Sequence, residues 1–384
     1  MREEKRVIAH MDLDSFYVSV ERLLNSKLKE VPVIIGGLSS RSVVASCSYE
    51  ARKYGVHAAM PMHKARYLCP EARIIRGDMD LYSKYSRMVT EIISGSAPVF
   101  EKASIDEHYL DISGMDRFFG CEKWTNELCA KISRETGLPI SSGLSVNKTV
   151  SKMATTESKP KGHLYIPYNR VQFFLDPLHI QKIPMVGKKT SHLLMQMGVD
   201  SILTLRKVPS EMLCRLLGKN GLLIWKRANG IDHTPVHIYS ECKSISTEHT
   251  FDQDTADLNF LKTVLSNMVE KLCFKIRRRE MLTGSVSVKI RYSDFDTHSL
   301  QKKIPYTSFD HLISEIVESL FLRLFQRRVL VRLIGIRFSH LVRGSQQLTF
   351  FDDDKRTSLY QALDSIRARY GNQSVQKVSA IYRK

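Results

Sequence analysis

Several things are missing from this chain, and each absence removes a class of protein. No two of its seven cysteines (Cys47, Cys69, Cys121, Cys129, Cys214, Cys242 and Cys273) are spaced as C-x-x-C. An odd, scattered set argues against a disulfide framework and against a structural zinc site, and fits a reduced cytoplasmic compartment. No apolar run approaches the twenty residues that a membrane-spanning helix needs. The charged start Met1-Arg2-Glu3-Glu4-Lys5-Arg6 leads into only five uncharged residues before Asp12, so no signal-peptide core is expected. Internal repeats and low-complexity tracts are also lacking. Acidic residues are too few: 40 Asp+Glu face 58 Lys+Arg, for a net charge of +18. From Lys271 to Ser345 there are 15 basic and 6 acidic residues, so half of the surplus sits in 75 residues. A charge so concentrated points to a polyanionic partner.

The 384 residues, 43% of them hydrophobic, are enough for two or more domains with cores of their own. Val7 to Met11 is a short apolar run suited to a buried strand that ends at Asp12, and a helix is expected from Phe16 to Leu24. Val31 to Gly37 reads as a second strand closed by glycines, and Tyr49 to Tyr54 as a helix. The pattern is extended again from Val99 to Ile112. Residues 166–230 read as helical, punctuated by Pro184, Gly187, Gly198 and Gly218, and a polar stretch at 231–242 reads as a linker. In residues 243–341, Leu261, Val264, Leu265, Met268 and Leu272 fall at helical spacing, as do Leu312, Ile313, Ile316, Leu320 and Leu324. Between them Val286, Val288 and Ile290 alternate with Ser287, Lys289 and Arg291, a strand with one wet, basic face.

Two acidic clusters stand out. Asp12-Leu13-Asp14 ends the first apolar run, and Asp106-Glu107 stands inside the extended segment Ser104 to Asp111. Consecutive side chains of a regular strand face opposite ways, so Asp106 and Glu107 converge most easily at a hairpin tip or bulge. Carboxylates gathered in a strand-rich core are costly unless a cation compensates them, and a group of three suits phosphoryl transfer with divalent ions. The alternative is turn-forming Asp at strand ends, a reading that stays open for Asp14 and Asp111.

These segments, Asp12-Leu13-Asp14-Ser15-Phe16-Tyr17 and Ser104-Ile105-Asp106-Glu107-His108-Tyr109-Leu110-Asp111, closely resemble the two palm motifs of Y-family DNA polymerases of the bacterial DNA polymerase IV type. The resemblance runs in order from residue 7 to about 341. It implies an α+β right hand: a ferredoxin-like palm (1–17 and 78–165), small fingers (18–77), a helical thumb with a helix-hairpin-helix (166–230), the 231–242 linker and an α+β little finger (243–341). It also implies that Asp12, Asp106, Glu107 and the Leu13 carbonyl hold two Mg²⁺ ions, with Mn²⁺ as a substitute, and that Tyr17 is the steric gate against ribonucleotides. Position 108 is usually small in the family, whereas here it is His108. Ser48 to Val56 resembles the fingers motif, in which Tyr49 and Arg52, at i and i+3 on one helical face, grip the triphosphate. Lys159 matches the lysine that completes the grip, with Lys152 a weaker candidate nearby.

Ile183 to Thr190, followed by Met197-Gly198-Val199, resembles the thumb's hairpin, with Gly187 and Lys188 against a DNA phosphate and Met185 where a glycine is usual. The little finger's Arg277, Arg278, Lys289 and Arg291 would bind the duplex backbone. In the tail (342–384), Gln347-Leu348-Thr349-Phe350-Phe351 resembles the sliding-clamp peptide, ahead of a helical extension from about Arg356 to Tyr370. The activity implied is low-fidelity translesion synthesis from dNTP on a primer-template, without proofreading, by a monomer. Two rival readings are a non-catalytic DNA-binding relative and a palm-type nucleotide cyclase.

Overall fold

The computed structural model describes residues 6–115, 120–238, 241–344, 354–371 and 374–375, and the chain divides into two compact units, Met1–Ser240 and Glu241–Lys384. The first unit opens with β1 (Ile8–Leu13), α1 (Phe16–Leu24), β2 (Val33–Gly36), β3 (Val44–Cys47), α2 (Tyr49–Lys53), α3 (Met62–Leu68) and β4 (Arg73–Ile75). It continues with α4 (Met79–Ser94), β5 (Val99–Lys102), β6 (Glu107–Asp111), α5 (Cys121–Thr136), β7 (Ile140–Ser145), α6 (Lys148–Ser158) and β8 (His163–Tyr165). Five short helices close it: α7 (Val171–Leu175), α8 (Lys188–Gln196), α9 (Ile202–Lys207), α10 (Ser210–Leu217) and α11 (Lys219–Ala228).

The site rests on a five-stranded sheet of order β5-β6-β1-β7-β8. The period-2 alternation of β1 decides what each face carries. Ala9, Met11 and Leu13 enter a core with Val18 of α1, Val89 and Ile93 of α4, and Leu128 and Ile132 of α5. The opposite face, with Ile8, His10 and Asp12, lies under α6: Ser151 Oγ donates to the Ile8 carbonyl and His10 Nδ1 lies 2.9 Å from Thr155 Oγ1. Gly143 of β7 makes this close packing possible. A Cβ there would come within 2.2 Å of the Ser151 carbonyl oxygen and 2.4 Å of the Thr155 nitrogen, so no other residue lets α6 approach the sheet.

Two smaller cores belong to the same unit. The sheet β3-β2-β4 packs with α2 and α3 through Ile34, Val44, Ala51, Met62 and Ala65. The helical region gathers Leu175, Leu194, Leu205, Leu213 and Ile224 against Val150 and Met153 of α6. The polar stretch expected as a linker is held against the sheet over residues 231–238. Val236 is buried with Ile8 and Tyr109, Asp232 accepts from Thr149 N and Oγ1, and His237 N donates to Glu101 at 2.8 Å. A single valine and a single aspartate anchor it, too little to break the polar pattern of the sequence.

The second unit is a four-stranded antiparallel sheet, ordered β11-β10-β12-β9. Its elements are β9 (Ser244–Thr255), α12 (Leu258–Arg277), β10 (Met281–Tyr292), β11 (Thr297–Thr307), α13 (Asp310–Leu324), β12 (Val331–Arg343) and α14 (Asp354–Tyr370). Val286, Val288 and Ile290 are buried beneath α12 and α13 as the alternation requires. The register places Lys289 opposite Ser299 and Gly335, Ser287 opposite Gln301 and Arg337, and Ser285 opposite Lys303. The other face is therefore polar and basic. The α+β class read from the sequence is borne out. Among the described residues no helix is long and apolar enough to cross a membrane.

Candidate active site

The carboxylates meet because of strand register. β1 pairs antiparallel with β6, and Asp12 stands directly opposite Glu107. Opposed residues of an antiparallel pair share a face, so a carboxylate one residue from the end of β1 meets the one that begins β6. Asp106 is the last residue of the turn before β6; its carbonyl accepts from Leu13 N at 3.1 Å, and its carboxylate from Ser104 Oγ at 2.5 Å. The Ser104 oxygen also accepts from Glu107 N at 3.1 Å. Ser86 of α4 donates to the Ile105 carbonyl, anchoring the turn from below.

Two lysines neutralise this group. Lys152 of α6 donates to both oxygens of Glu107 at 2.7 Å, and Lys159, just past the end of α6, pairs with Asp12. Lys159 was expected in the site; Lys152, the weaker candidate, turns out to hold a carboxylate directly. Burial pushes the Asp12 carboxyl up from 3.8 to about 7, and the charges of Glu107 and Asp106 add to that rise against the opposing pull of Lys159. Among the described residues no three His, Cys, Asp or Glu side chains stand together as a ready metal cage. The donor chemistry nevertheless fits a hard divalent cation. All three side chains are carboxylates, with no imidazole or thiolate among them, and the energetic cost of bringing them together is at present relieved by ammonium groups.

Tyr17, in the first turn of α1, is half-buried and stacks on Tyr82 of α4 with ring centroids 4.4 Å apart and 14° between planes. Burial, and after it the charge of Asp106, raises its phenol above the ordinary value. Its place beside the acidic turn is thus set by an aromatic stack. Tyr49 and Arg52 open α2, which Ser48 caps by accepting from Ala51 N. The Arg52 guanidinium lies 4.7 Å over the Tyr49 ring, as their i, i+3 spacing allows.

His108 does not face the carboxylates. Its strand partner is Met11, on the core side, and its Nε2 lies 3.0 Å from Thr90 Oγ1 of α4. Burial, with Lys102 nearby, lowers its pKa to about 4. The imidazole is a neutral core residue, and the departure from a small side chain is absorbed on the far face of the sheet. Met185 has φ +74°, the left-handed backbone for which glycine is the usual choice. Its side chain is exposed, and Gly187 then begins α8 with no side-chain cap. The lysine that follows, Lys188, is exposed.

One residue that the sequence left open and one that it misplaced are settled by their contacts. Asp14, left open as a turn former, is 2% exposed and accepts from three donors, Tyr49 Oη, Lys161 N and Ser141 Oγ, the last shared between its two oxygens. No local pattern announces partners 35 to 147 residues away. Arg277, expected on DNA, is instead locked inside the second unit. It binds Asp310 and the Ser308 carbonyl, and grips Asp364 of α14 with two bonds of 2.6 and 2.9 Å. Its side chain is only 12% exposed. An arginine triplet at a helix end looks alike on the page whether its first member points to solvent or to a docked helix.

Lys289 reaches Glu248, and Arg291 donates to Thr297 Oγ1 at 2.8 Å on the polar face of β10. Arg278 stacks over Phe274 at 5.7 Å. The clamp-like residues Gln347, Leu348, Phe350 and Phe351 lie outside the described residues.

Comparison with known proteins gives one answer. The impB/mucB/samB family matches residues 11–156, and that family's C-terminal domain matches residues 242–350. A protein named DNA polymerase IV from Dehalococcoides mccartyi is 37% identical over 376 residues, 97% of this chain and 96% of its own. Another of that name from Desulfatibacillum aliphaticivorans is 35% identical over 388 residues, covering 98% of this chain and 97% of its own. Among solved structures, a Y-family DNA polymerase chimera of Dbh and Dpo4 superposes with a TM-score of 0.79 at 26% identity, over 88% of this chain and all of its own. An insertion ternary complex of Dbh DNA polymerase gives 0.64 at 25% identity, again over 88% of this chain and all of that one.

Proposed function

Because the chain belongs to the impB/mucB/samB family, whose DNA polymerase IV members match it over nearly its whole length, we infer that it is a template-directed DNA polymerase for translesion synthesis. The observation that carries the chemistry is the pairing of Asp12 with Glu107 across β1 and β6, with Asp106 in the adjoining turn. Membership of the family implies a divalent metal. Asp12, Asp106, Glu107 and the Leu13 carbonyl are the proposed ligands, for two Mg²⁺ ions or Mn²⁺ in their place. Such ions supply Lewis-acid stabilisation to the attacking 3′-hydroxyl and the departing pyrophosphate.

The chain's own residues would do the rest. Lys152 and Lys159 offset the charge of Glu107 and Asp12 until substrate arrives, and Lys159 then serves the triphosphate together with Arg52 and the Tyr49 ring beneath it. Tyr17, braced on Tyr82, would meet the sugar and exclude a 2′-hydroxyl. Gly187 and Lys188 would take a DNA phosphate at the start of α8, and Arg278, Lys289 and Arg291 would follow the duplex backbone. Arg277 is left out of that set because its charge is used inside the fold. For the tail we propose docking of residues 347–351 on a sliding clamp by a monomeric enzyme, since an extended peptide with apolar anchors fills a preformed pocket.

The test is primer extension with Mg²⁺ on undamaged and lesion-bearing templates. The parent should extend both, while Asp106→Ala and Glu107→Ala should lose extension and keep DNA affinity within about twofold, since neither side chain belongs to the basic surfaces that neutralise phosphates. Extension by either variant at near-parent rate refutes the site; binding without extension by the parent would favour a non-catalytic relative.

A further inference from the structure

Asp14 lies two residues beyond Asp12, at the point where the chain leaves β1 and turns into α1 through Ser15, whose φ is +43°. Its carboxylate is almost completely buried, and none of its three hydrogen-bond donors is a cation. Tyr49 Oη donates to Oδ1 at 3.2 Å, Ser141 Oγ lies 3.0 and 2.9 Å from Oδ1 and Oδ2, and Lys161 N donates to Oδ2 at 2.7 Å. Ser141 Oγ accepts in turn from Gly162 N at 3.3 Å.

A turn former needs no such environment. Asn or Ser would cap the same bend without the cost of burying an anion. The donors come from three separate pieces of the unit: the first residue of α2, a strand of the large sheet, and the turn that follows Lys159. Two of those pieces carry the proposed triphosphate contacts. Tyr49 lies under Arg52, with the guanidinium 4.7 Å from its ring centroid, so fixing the phenol fixes the cation. The bond to Lys161 N holds the backbone two residues from Lys159, whose ammonium pairs with Asp12. A phenol has one hydrogen, and here it is given to Asp14. Tyr49 therefore works as a strut between Asp14 and Arg52.

We propose that Asp14 is a positioning residue for the incoming nucleoside triphosphate, setting the spacing between Arg52 on the fingers helix and Lys159 beyond α6 through its bonds to Tyr49, Ser141 and Lys161. The proposal rests on the polymerase reading and adds to it a carboxylate that touches neither metal nor substrate. It differs from a purely structural role in what it perturbs. Misplaced cations weaken the capture of the triphosphate, whereas general loosening of the fold lowers every step.

The experiment is single-nucleotide incorporation by the full chain with Asp14→Asn, Tyr49→Phe and the double variant. DNA affinity, melting temperature and hydrogen exchange at the Lys161 amide are measured alongside. Asp14→Asn should raise KM for the deoxynucleotide about tenfold with kcat within about threefold, the pattern of lost substrate binding. DNA affinity should be unchanged and exchange at the Lys161 amide faster. Tyr49→Phe should raise KM by a smaller factor, and the double variant should be no worse than Asp14→Asn alone, since both act along one path.

An unchanged KM overturns the proposal. So does a double variant whose effect is the product of the two single ones, because Tyr49 would then act on the phosphates independently. A fall in kcat, DNA affinity and melting temperature together would reduce Asp14 to a structural group. Should Asp14→Asn fail to fold, Ser141→Ala leaves the charge in place and carries the same comparison, with a smaller rise in KM expected and an unchanged KM overturning. Failure of the parent to extend a primer would count against the polymerase reading itself, while exchange at the Lys161 amide still reports on the strut.

Discussion

Asp12→Asn should remove activity, and the stability of the variant's first unit relative to the parent's should rise with pH. The carboxyl is raised from 3.8 to about 7, mainly by burial. A group whose folded pKa is raised contributes stability that is fully present below about 3.8 and is lost as pH climbs through 7. Fully developed, that loss is about 4 kcal/mol, at about 1.4 kcal/mol for each tenfold change in proton affinity. At pH 5 the same relation gives a loss of roughly 1.7 kcal/mol, because the unfolded carboxyl is ionised there and the folded one is not. An asparagine loses nothing with pH. The substitution also removes the ion-pair partner of Lys159, whose side chain is 21% exposed, a cost that sets the absolute stability of the variant.

The stability of the variant relative to the parent should therefore rise by about 2–3 kcal/mol between pH 5 and pH 8, whatever its absolute value. The assay is urea unfolding without divalent ions. Both tryptophans, Trp124 and Trp225, lie in the first unit and pack against its cores, so intrinsic fluorescence follows that unit alone. Saturating Mg²⁺ should then stabilise the parent and leave the variant nearly unmoved. Parallel pH curves for the two proteins would refute the reasoning, because Asp12 would then carry no cost of burial to relieve.

Tyr17→Ala should reduce discrimination against ribonucleotides by at least about tenfold, since a steric exclusion disappears with the ring; incorporation of matched ribo- and deoxynucleotides measures it, and unchanged discrimination moves the gate elsewhere. Arg277→Ala should cost the second unit about 3–5 kcal/mol, as removal of one partner of a buried ion pair does, and leave the salt dependence of DNA binding unaltered. Arg291→Ala should do the opposite, with little loss of stability and a log–log salt slope shallower by about 0.9. Thermal melts and anisotropy titrations over a salt series separate the two, and a shallower slope for Arg277→Ala would put that side chain back on the DNA.

The residues proposed as catalytic could be picked out because they are local. Asp12 and Asp106-Glu107 each sit in a short apolar context, and the strands needed to deliver them follow from the apolar run Val7 to Met11 and the extended pattern from Val99 to Ile112. The helices α12 and α13 and the strand β10 were legible for the same reason, since an apolar stripe must face a core wherever the chain goes. The alternation of Ser287, Lys289 and Arg291 with apolar residues located the basic face of β10. These are properties of neighbouring residues, and neighbours are what a sequence records.

Tertiary structure decided the pairings. Asp14 and Asp12 are chemically alike and two residues apart. Yet one faces Lys159 and Glu107, and the other is sealed among donors from Tyr49, Ser141 and Lys161. His108 was set on the core side by the register that puts it opposite Met11. Arg277 and Arg278 are adjacent in sequence, and only the packing of α14 and α13 gives the first to Asp364 and Asp310. Lys152 lies one α6 turn from Thr155, and the close approach allowed by Gly143 brings it to Glu107. In each case the deciding contact joins segments far apart along the chain, where the free energy of a bond depends on distance and burial that no local pattern encodes.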